Sequence, residues 1–211
     1  MKERLNAFFD AFSKKLPVKL ANLEESARDS GNPIIRSQTR RLLQVLLSMK
    51  EPTQILEIGT AVGFSAIWMS ECAPKAQITT IEKVEDRIKK AKENFKEYKK
   101  EDQITLLAGD ASEILKELTG PYDFMFLDAA KAQYIHYLPE LLRMLPAGGV
   151  LVTDNILQDG ELLESRFSIE RRDRTIQTRM REYLRTITED ERLQTVLLES
   201  GDGVAISVRV K

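Results

Sequence analysis

The sequence predicts an α/β fold: a mostly parallel, seven-stranded sheet with helices on both faces and an antiparallel hairpin at its end. Three observations predict it. From residue 54 onward, short apolar runs alternate with helical stretches. Two later apolar runs are joined by the short connection Ser200-Gly201-Asp202-Gly203. A glycine-bearing turn, Gly59-Thr60-Ala61-Val62-Gly63, links the first run to the helix after it. Strands separated by helices pair in parallel through right-handed crossovers, whereas strands joined by a tight turn pair antiparallel.

Three helical patterns come first. Residues 2–15 place Leu5, Phe8, Phe9 and Phe12 at the spacing of an amphipathic helix. A second pattern, 18–30, follows Pro17 and stops at Gly31-Asn32-Pro33; a third, 36–49, carries Leu42, Leu43, Leu46 and Leu47 and ends before Pro52. Candidate strands are 54–58, 77–82, 104–108, 122–128 and 149–153, with helices between them at 64–72, 84–99, 111–118 and 131–144. A long polar helix over 168–187 precedes the hairpin strands 193–199 and 203–210. A parallel sheet closed by such a hairpin is the Rossmann-like architecture of class I S-adenosylmethionine-dependent methyltransferases rather than of dehydrogenases.

With 211 residues, 31% of them charged and 42% hydrophobic, the chain has the composition of one folded domain. Residues 1–50 form a helical extension and 51–211 the Rossmann-like core. The net charge of −1 excludes a uniformly basic protein but not a local basic face. Cys72 is the only cysteine, so no internal disulfide or cysteine metal cluster can form, and its apolar neighbours suggest a small core residue. No apolar run approaches the roughly 20 residues that span a bilayer, and the charged start MKERLNAFFDAFSKK lacks the pattern of a signal peptide. A cytoplasmic protein is the expectation.

Chemistry-bearing residues recur at successive strand ends. Gly59 and Gly63 let the backbone turn tightly against a ligand. Glu57 is acidic, which suits a cofactor with a cationic amino group and not a pyrophosphate; the dinucleotide pattern Gly-x-Gly-x-x-Gly is also missing. Glu82 ends the second strand, where it could accept hydrogen bonds from two ribose hydroxyls. Gly109-Asp110-Ala111 follows the third strand, placed for an adenine ring. Taken singly, these are helix caps and turn formers. In this order, together with Ser65, they point to S-adenosylmethionine.

The fourth strand ends in Asp128-Ala129-Ala130-Lys131 and the fifth in Asp154-Asn155. Neighbouring strands of a doubly wound sheet would bring Asp128, Asp154 and Asn155 together at the carboxyl edge. Two carboxylates and an amide are hard oxygen ligands, suited to Mg²⁺ and poor for zinc. Lys131 could take the proton, or complement the developing charge, if its pKa were lowered there. The alternative is a helix cap at Asp128 and a turn at Asp154-Asn155. His136 has no evident partner and reads as a surface or packing residue; Tyr134 and Tyr137 either line a pocket or pack.

The motifs Leu56-Glu57-Ile58-Gly59…Gly63-Phe64-Ser65, Asp128-Ala129-Ala130-Lys131 and Asp154-Asn155 resemble those of the cation-dependent O-methyltransferases, which include catechol and caffeoyl-CoA O-methyltransferases. The similarity runs from about residue 33 to 208. Within that group the sequence is most similar to the bacterial tRNA 5-hydroxyuridine methyltransferases, through Glu57-Ile58-Gly59-Thr60-Ala61, the 128–131 segment, an arginine-rich helix and Gly201-Asp202-Gly203-Val204-Ala205-Ile206-Ser207. The resemblance implies that Asp128, Asp154 and Asn155 hold Mg²⁺ (or Mn²⁺). It implies that Ile35, Ser65, Glu82, Asp110, Ala111 and Asp128 contact the cofactor. Ile35 stands where a methionine is expected, a change that a backbone contact survives and a sulfur contact does not. A homodimer is implied as well.

The implied reaction converts 5-hydroxyuridine to 5-methoxyuridine at the tRNA wobble position. In that base the 5-hydroxyl lies beside the C4 carbonyl, as two hydroxyls lie side by side in catechol, so one metal site suits either acceptor. Between 166 and 185 stand Arg166, Arg171, Arg172, Arg174, Arg179, Arg181 and Arg185, against Glu170, Asp173 and Glu182, a net +4. Such a cluster suits an anticodon stem-loop's phosphates; alone, it reads rather as a solvated face with intrahelical ion pairs, and only the resemblance tips it towards tRNA. Three other readings stand beside this one. The first is a small-molecule enzyme acting on catechol-like diols. A non-catalytic RNA-binding module is disfavoured by the complete set of site residues, and a nicotinamide dehydrogenase by the glycine pattern.

Overall fold

The computed structural model describes residues 2–165 and 167–211. Seven strands form one sheet: β1 (Gln54–Ile58), β2 (Gln77–Glu82), β3 (Ile104–Ala108), β4 (Phe124–Leu127), β5 (Val150–Asp154), β6 (Leu193–Leu198) and β7 (Val204–Arg209). Their order is β3-β2-β1-β4-β5-β7-β6. Strands β1 to β5 pair in parallel, and β7 pairs antiparallel with both β5 and β6. The order reverses between β1 and β4, so the crossovers after β1 and β4 leave on opposite faces and open a crevice at the carboxyl edge.

Side-chain alternation builds two cores. In β1, Leu56 and Ile58 face one way and Ile55 the other; in β4, Met125 and Leu127 oppose Phe124 and Phe126. One face is covered by α6 (Ala111–Glu117), α7 (Tyr134–Met144) and α8 (Arg174–Glu189). On the other lie α2 (Val18–Asp29), α3 (Ser37–Lys50), α4 (Phe64–Cys72) and α5 (Glu85–Glu97). Helix α4 is buried along seven consecutive residues, Phe64 to Ser70, because α2 and α3 cover its outer side. The helical extension is therefore part of the main core: Leu20, Leu23, Leu43 and Leu47 pack in the same cluster as Ile55 and Phe126.

The structure corrects several element boundaries. The first helix, α1 (Lys2–Ala11), stops short of residue 15, and the exposed Phe8 ring meets Phe9 edge-on at 5.9 Å and lies tilted against Phe12, just past the helix, at 5.0 Å. The side chain of Leu5 lies outside those described. The 131–144 helix is divided: a 3-10 turn, Lys131–Gln133, precedes α7. The polar helix starts at Arg174 rather than 168, and the chain before it forms turns. The fourth strand gives up both ends of its expected span. Cys72 is half-buried, and burial pushes its thiol pKa up to about 12. No described helix is long and apolar enough to cross a membrane.

Candidate active site

Strand register sets the site. Ile58 pairs with Ile81 on one side and Leu127 on the other, and Leu127 pairs with Thr153. The next residues along each strand therefore converge: Gly59, Glu82, Asp128 and Asp154. Gly59, Glu82 and Asp128, with Asn155 next to the buried Asp154, border a cleft of about 570 Å³, whose walls include the 33–36 segment, the Gly59–Val62 turn, Gly109, Ala111 and the 128–131 segment.

The turn after β1 could not be built from other residues. Gly59 has φ +104°, and a Cβ there would stand 2.1 Å from the Asp128 carbonyl oxygen. Gly63 has φ +86°, and a Cβ would stand 2.5 Å from the Phe95 ring. The Gly59 N–H donates to the Ile81 carbonyl (3.1 Å), and the Asn94 amide donates to the Val62 carbonyl (2.8 Å). The turn is thus held from both sides before any ligand arrives.

Of the residues expected to meet a cofactor, Ile35, Gly59, Ser65, Glu82, Ala111 and Asp128 line the cleft. Glu82 spends much of its acceptor capacity on the backbone: one oxygen takes the Ala61 N–H (2.9 Å), the other those of Lys83 (2.9 Å) and Val84 (3.0 Å). Glu57 sits behind the cleft, 0% exposed. One of its oxygens accepts from the Thr80 hydroxyl and the other has no partner. Burial raises its pKa to about 7, with Ser65 and Thr80 pulling the other way. Asp110 caps α6 through the Ser112 N–H (2.9 Å). That bond, with the nearby Lys83 ammonium, holds its carboxyl below the usual range, and only its neighbours Gly109 and Ala111 reach the cleft wall.

The second half of the site gathers around Lys131. Its ammonium donates to Asp128 Oδ1 (2.9 Å), the Tyr134 hydroxyl (2.9 Å) and Asn155 Oδ1 (3.3 Å). A lowered lysine pKa is not what the structure provides. Burial works against the charge, but Tyr134 and Asp128 outweigh it and the pKa lies above the ordinary lysine value. Asp154 is 1% exposed. Its Oδ1 accepts from the Asn155 N–H (2.8 Å) and the Thr39 hydroxyl (3.1 Å), while Oδ2 has no partner. Burial, then the neighbouring Asp128 charge, raise its pKa to about 6.

Among the described residues no three carboxylate, histidine or cysteine side chains gather at one place. The donor set available to a cation is two carboxylates and one amide. His136 is exposed, and Tyr137 lines the cleft. Tyr134 is wholly buried, with its ring edge-on to Tyr183 at 5.6 Å. Sequence reasoning missed Thr39, Thr80 and Arg36. Threonines in a helix or strand carry no local signal of such a role, and Arg36 gains its meaning only from Asp159, 2.6 Å away across the chain.

The sheet order, the terminal hairpin and the cleft at the carboxyl edge define the class I S-adenosylmethionine-dependent methyltransferase fold. Within that class, a family profile described as O-methyltransferase matches residues 12–210, and the chain belongs to the O-methyltransferase family. It is 32% identical over 146 residues to a catechol O-methyltransferase of Niastella koreensis, a match spanning 66% of each chain and so just under two thirds of that relative. A candidate caffeoyl-CoA O-methyltransferase from Staphylococcus aureus superposes with a TM-score of 0.87 at 29% identity, covering 99% of this chain and 98% of that one. The S-adenosylhomocysteine-bound Podospora anserina methyltransferase PaMTH1 superposes at 0.89 with 26% identity, covering 100% of this chain and 95% of its own.

Proposed function

We propose that this chain transfers a methyl group from S-adenosylmethionine to the 5-hydroxyl of 5-hydroxyuridine at the tRNA wobble position, using Mg²⁺ or Mn²⁺. The observation that carries the reading is the shared cleft: the glycine turn, Glu82, Asp128, Lys131 and Asn155 all line it. The cofactor's bound product in PaMTH1 supports the same ligand here.

In this reading Glu82 takes the ribose hydroxyls with the lone pair its backbone bonds leave free. Glu57 gives the methionine end of the cofactor a negative environment, Ser65, Ile35 and Ala111 border it, Asp110 lies beside that wall between Gly109 and Ala111, and Gly59 admits it. The donor set fits a hard divalent cation on two observations. Asp154 Oδ2 is a buried carboxylate oxygen with nothing to bind, and an ammonium already bridges Asp128 and Asn155. Asp128, Asp154 and Asn155 would hold the metal, which supplies charge that eases loss of the acceptor's proton. Lys131, cationic in its present surroundings, keeps positive charge beside the acceptor oxygen. Transfer forms the oxygen–methyl bond, breaks the sulfur–methyl bond and releases one proton.

The RNA part of the reading rests on the resemblance to the tRNA methyltransferases and on the placement of α8. That helix packs against the turn carrying Lys131, and Arg179 donates to the Ala132 carbonyl (3.4 Å). Arg181 donates to the Leu162 (2.7 Å) and Glu164 (2.9 Å) carbonyls. A guanidinium bound to a carbonyl keeps its full charge, so only Arg172, paired with Glu170 and Asp173, is offset among those described. Arg166 lies outside the described residues. A second reading, methylation of a catechol-like diol, is favoured by the Niastella koreensis relative. The exposed rings Phe8, Phe9 and Phe12 support a homodimer.

The test is transfer of label from S-adenosylmethionine to tRNA bearing 5-hydroxyuridine and to catechol, each with and without EDTA. EDTA-sensitive label on the uridine is the expected result. Label on catechol alone would move the acceptor to small molecules and leave the cofactor and metal assignments standing.

A further inference from the structure

We infer that Thr39 is a positioning residue for the metal site: its hydroxyl fixes the Asp154 carboxylate in the orientation that leaves Oδ2 free to bind the cation. The inference rests on the metal reading above.

Asp154 stands at the end of β5 with both oxygens buried, and the two differ sharply. Oδ1 is filled by two donors, the Asn155 N–H at 2.8 Å and the Thr39 hydroxyl at 3.1 Å. Oδ2 receives none. A carboxylate held only by the N–H of the residue after it could still rotate about its Cβ–Cγ bond, and the two oxygens could exchange places. A second donor, on a different element 115 positions away, removes that freedom. Thr39 can do this because it is 0% exposed and sits in the first turn of α3. Its backbone is therefore fixed by the helix, and its β-branched side chain has few rotamers.

The surroundings add to the argument. The β6–β7 turn presses on the same point: a Cβ on Gly201 would stand 3.1 Å from the Thr39 hydroxyl oxygen. The segment leading into α3, 33–36, forms part of the cleft wall. Thr39 thus ties the helix beyond that wall to the end of β5. Among the described residues it is the only side chain that donates to Asp154. Partners that orient a ligating carboxylate typically change metal affinity by about 10–100-fold when removed.

The experiment measures Mn²⁺ binding by paramagnetic resonance and S-adenosylhomocysteine binding by calorimetry on the wild-type chain, Thr39→Val and Thr39→Ser. Valine keeps the shape and loses the donor; serine keeps the donor. The expected result is a Mn²⁺ Kd raised about tenfold or more in Thr39→Val, wild-type-like affinity in Thr39→Ser, and S-adenosylhomocysteine affinity within about twofold throughout. A merely structural hydroxyl would lower the melting temperature of Thr39→Val without this Mn²⁺-specific, serine-rescued loss. Equal Mn²⁺ affinity in wild type and Thr39→Val would overturn the inference and leave the metal reading intact. A wild-type chain that binds no Mn²⁺ would overturn both.

Discussion

The two halves of the cleft solve the burial of acidic groups in different ways. On the cofactor side, Glu57 is buried with the Thr80 hydroxyl as its donor, and burial raises its pKa to about 7. On the acceptor side, Asp128 and the buried Asp154 lie within reach of the Lys131 charge, and the Lys131 ammonium bonds to Asp128 and Asn155. Each half leaves one buried carboxylate oxygen without a partner, Glu57 Oε1 and Asp154 Oδ2. Burial, with the Asp128 and Glu82 charges nearby, makes the first carboxylate easy to protonate. The second belongs to a cluster of two acids already holding one cation. The comparison teaches that the cofactor half is a preformed turn, whereas the acceptor half is an electrostatic site.

The largest effect should come from the acceptor half. Asp154→Ala is expected to lower methyl transfer on the order of 10²–10³-fold, the usual cost of removing a group that stabilises developing charge. S-Adenosylhomocysteine affinity should change by no more than about twofold, because the cleft residues of the cofactor half lie on other strands. Undiminished turnover in EDTA would break the distinction between the halves.

Gly59→Ala should act on the cofactor half instead. A left-handed backbone costs a non-glycine residue about 1–3 kcal/mol, and forcing a Cβ against the Asp128 carbonyl adds an overpacking cost of similar size. A loss of about 4 kcal/mol in denaturant unfolding is expected, together with loss of cofactor binding. Wild-type stability would show that the turn is not preformed.

A pH titration sharpens the contrast. The Glu57 pKa is raised from 4.5 to about 7 in the folded chain, so the folded state holds its proton where the unfolded state has lost it. Stability therefore falls as pH rises from about 4.5 to about 7, and the full penalty, roughly 3 kcal/mol, persists above. Glu57→Gln should flatten that part of the profile, which denaturant melts at pH 5 and pH 8 would reveal.

The smallest effect should be at the rim. Arg171 and Arg185 are exposed and have no recorded ion pair among the described residues. Replacing both with alanine should raise KM for tRNA several-fold at moderate salt and reduce the salt dependence by about two charges. Activity on catechol should not change. An unchanged KM for tRNA would favour the small-molecule acceptor.

Much of the fold was legible because its signals are local. Beta strands β1, β2 and β3 and helix α4 fall where alternation and glycine turns put them. The hairpin was marked by its Gly-Asp-Gly turn. Helix ends were less legible: α1 and α8 differ from their periodic patterns because an apolar repeat does not say where backbone bonding stops.

The sequence by itself determined that Glu57, Glu82, Asp128, Asp154 and Asn155 stand in or next to the last residues of their strands, with Lys131 three residues beyond Asp128. The tertiary structure alone decided how those groups are charged and held. Lys131 could take a proton only with a lowered pKa, whereas Tyr134 and Asp128 keep it cationic, suited to complementing charge. Asp110 holds one carboxylate oxygen on the Ser112 N–H, capping α6. Thr39 had no signal at all until α3 packed against the end of β5. A residue's type is fixed by its own codon, whereas its protonation state and orientation depend on neighbours that only the folded chain brings within hydrogen-bond reach.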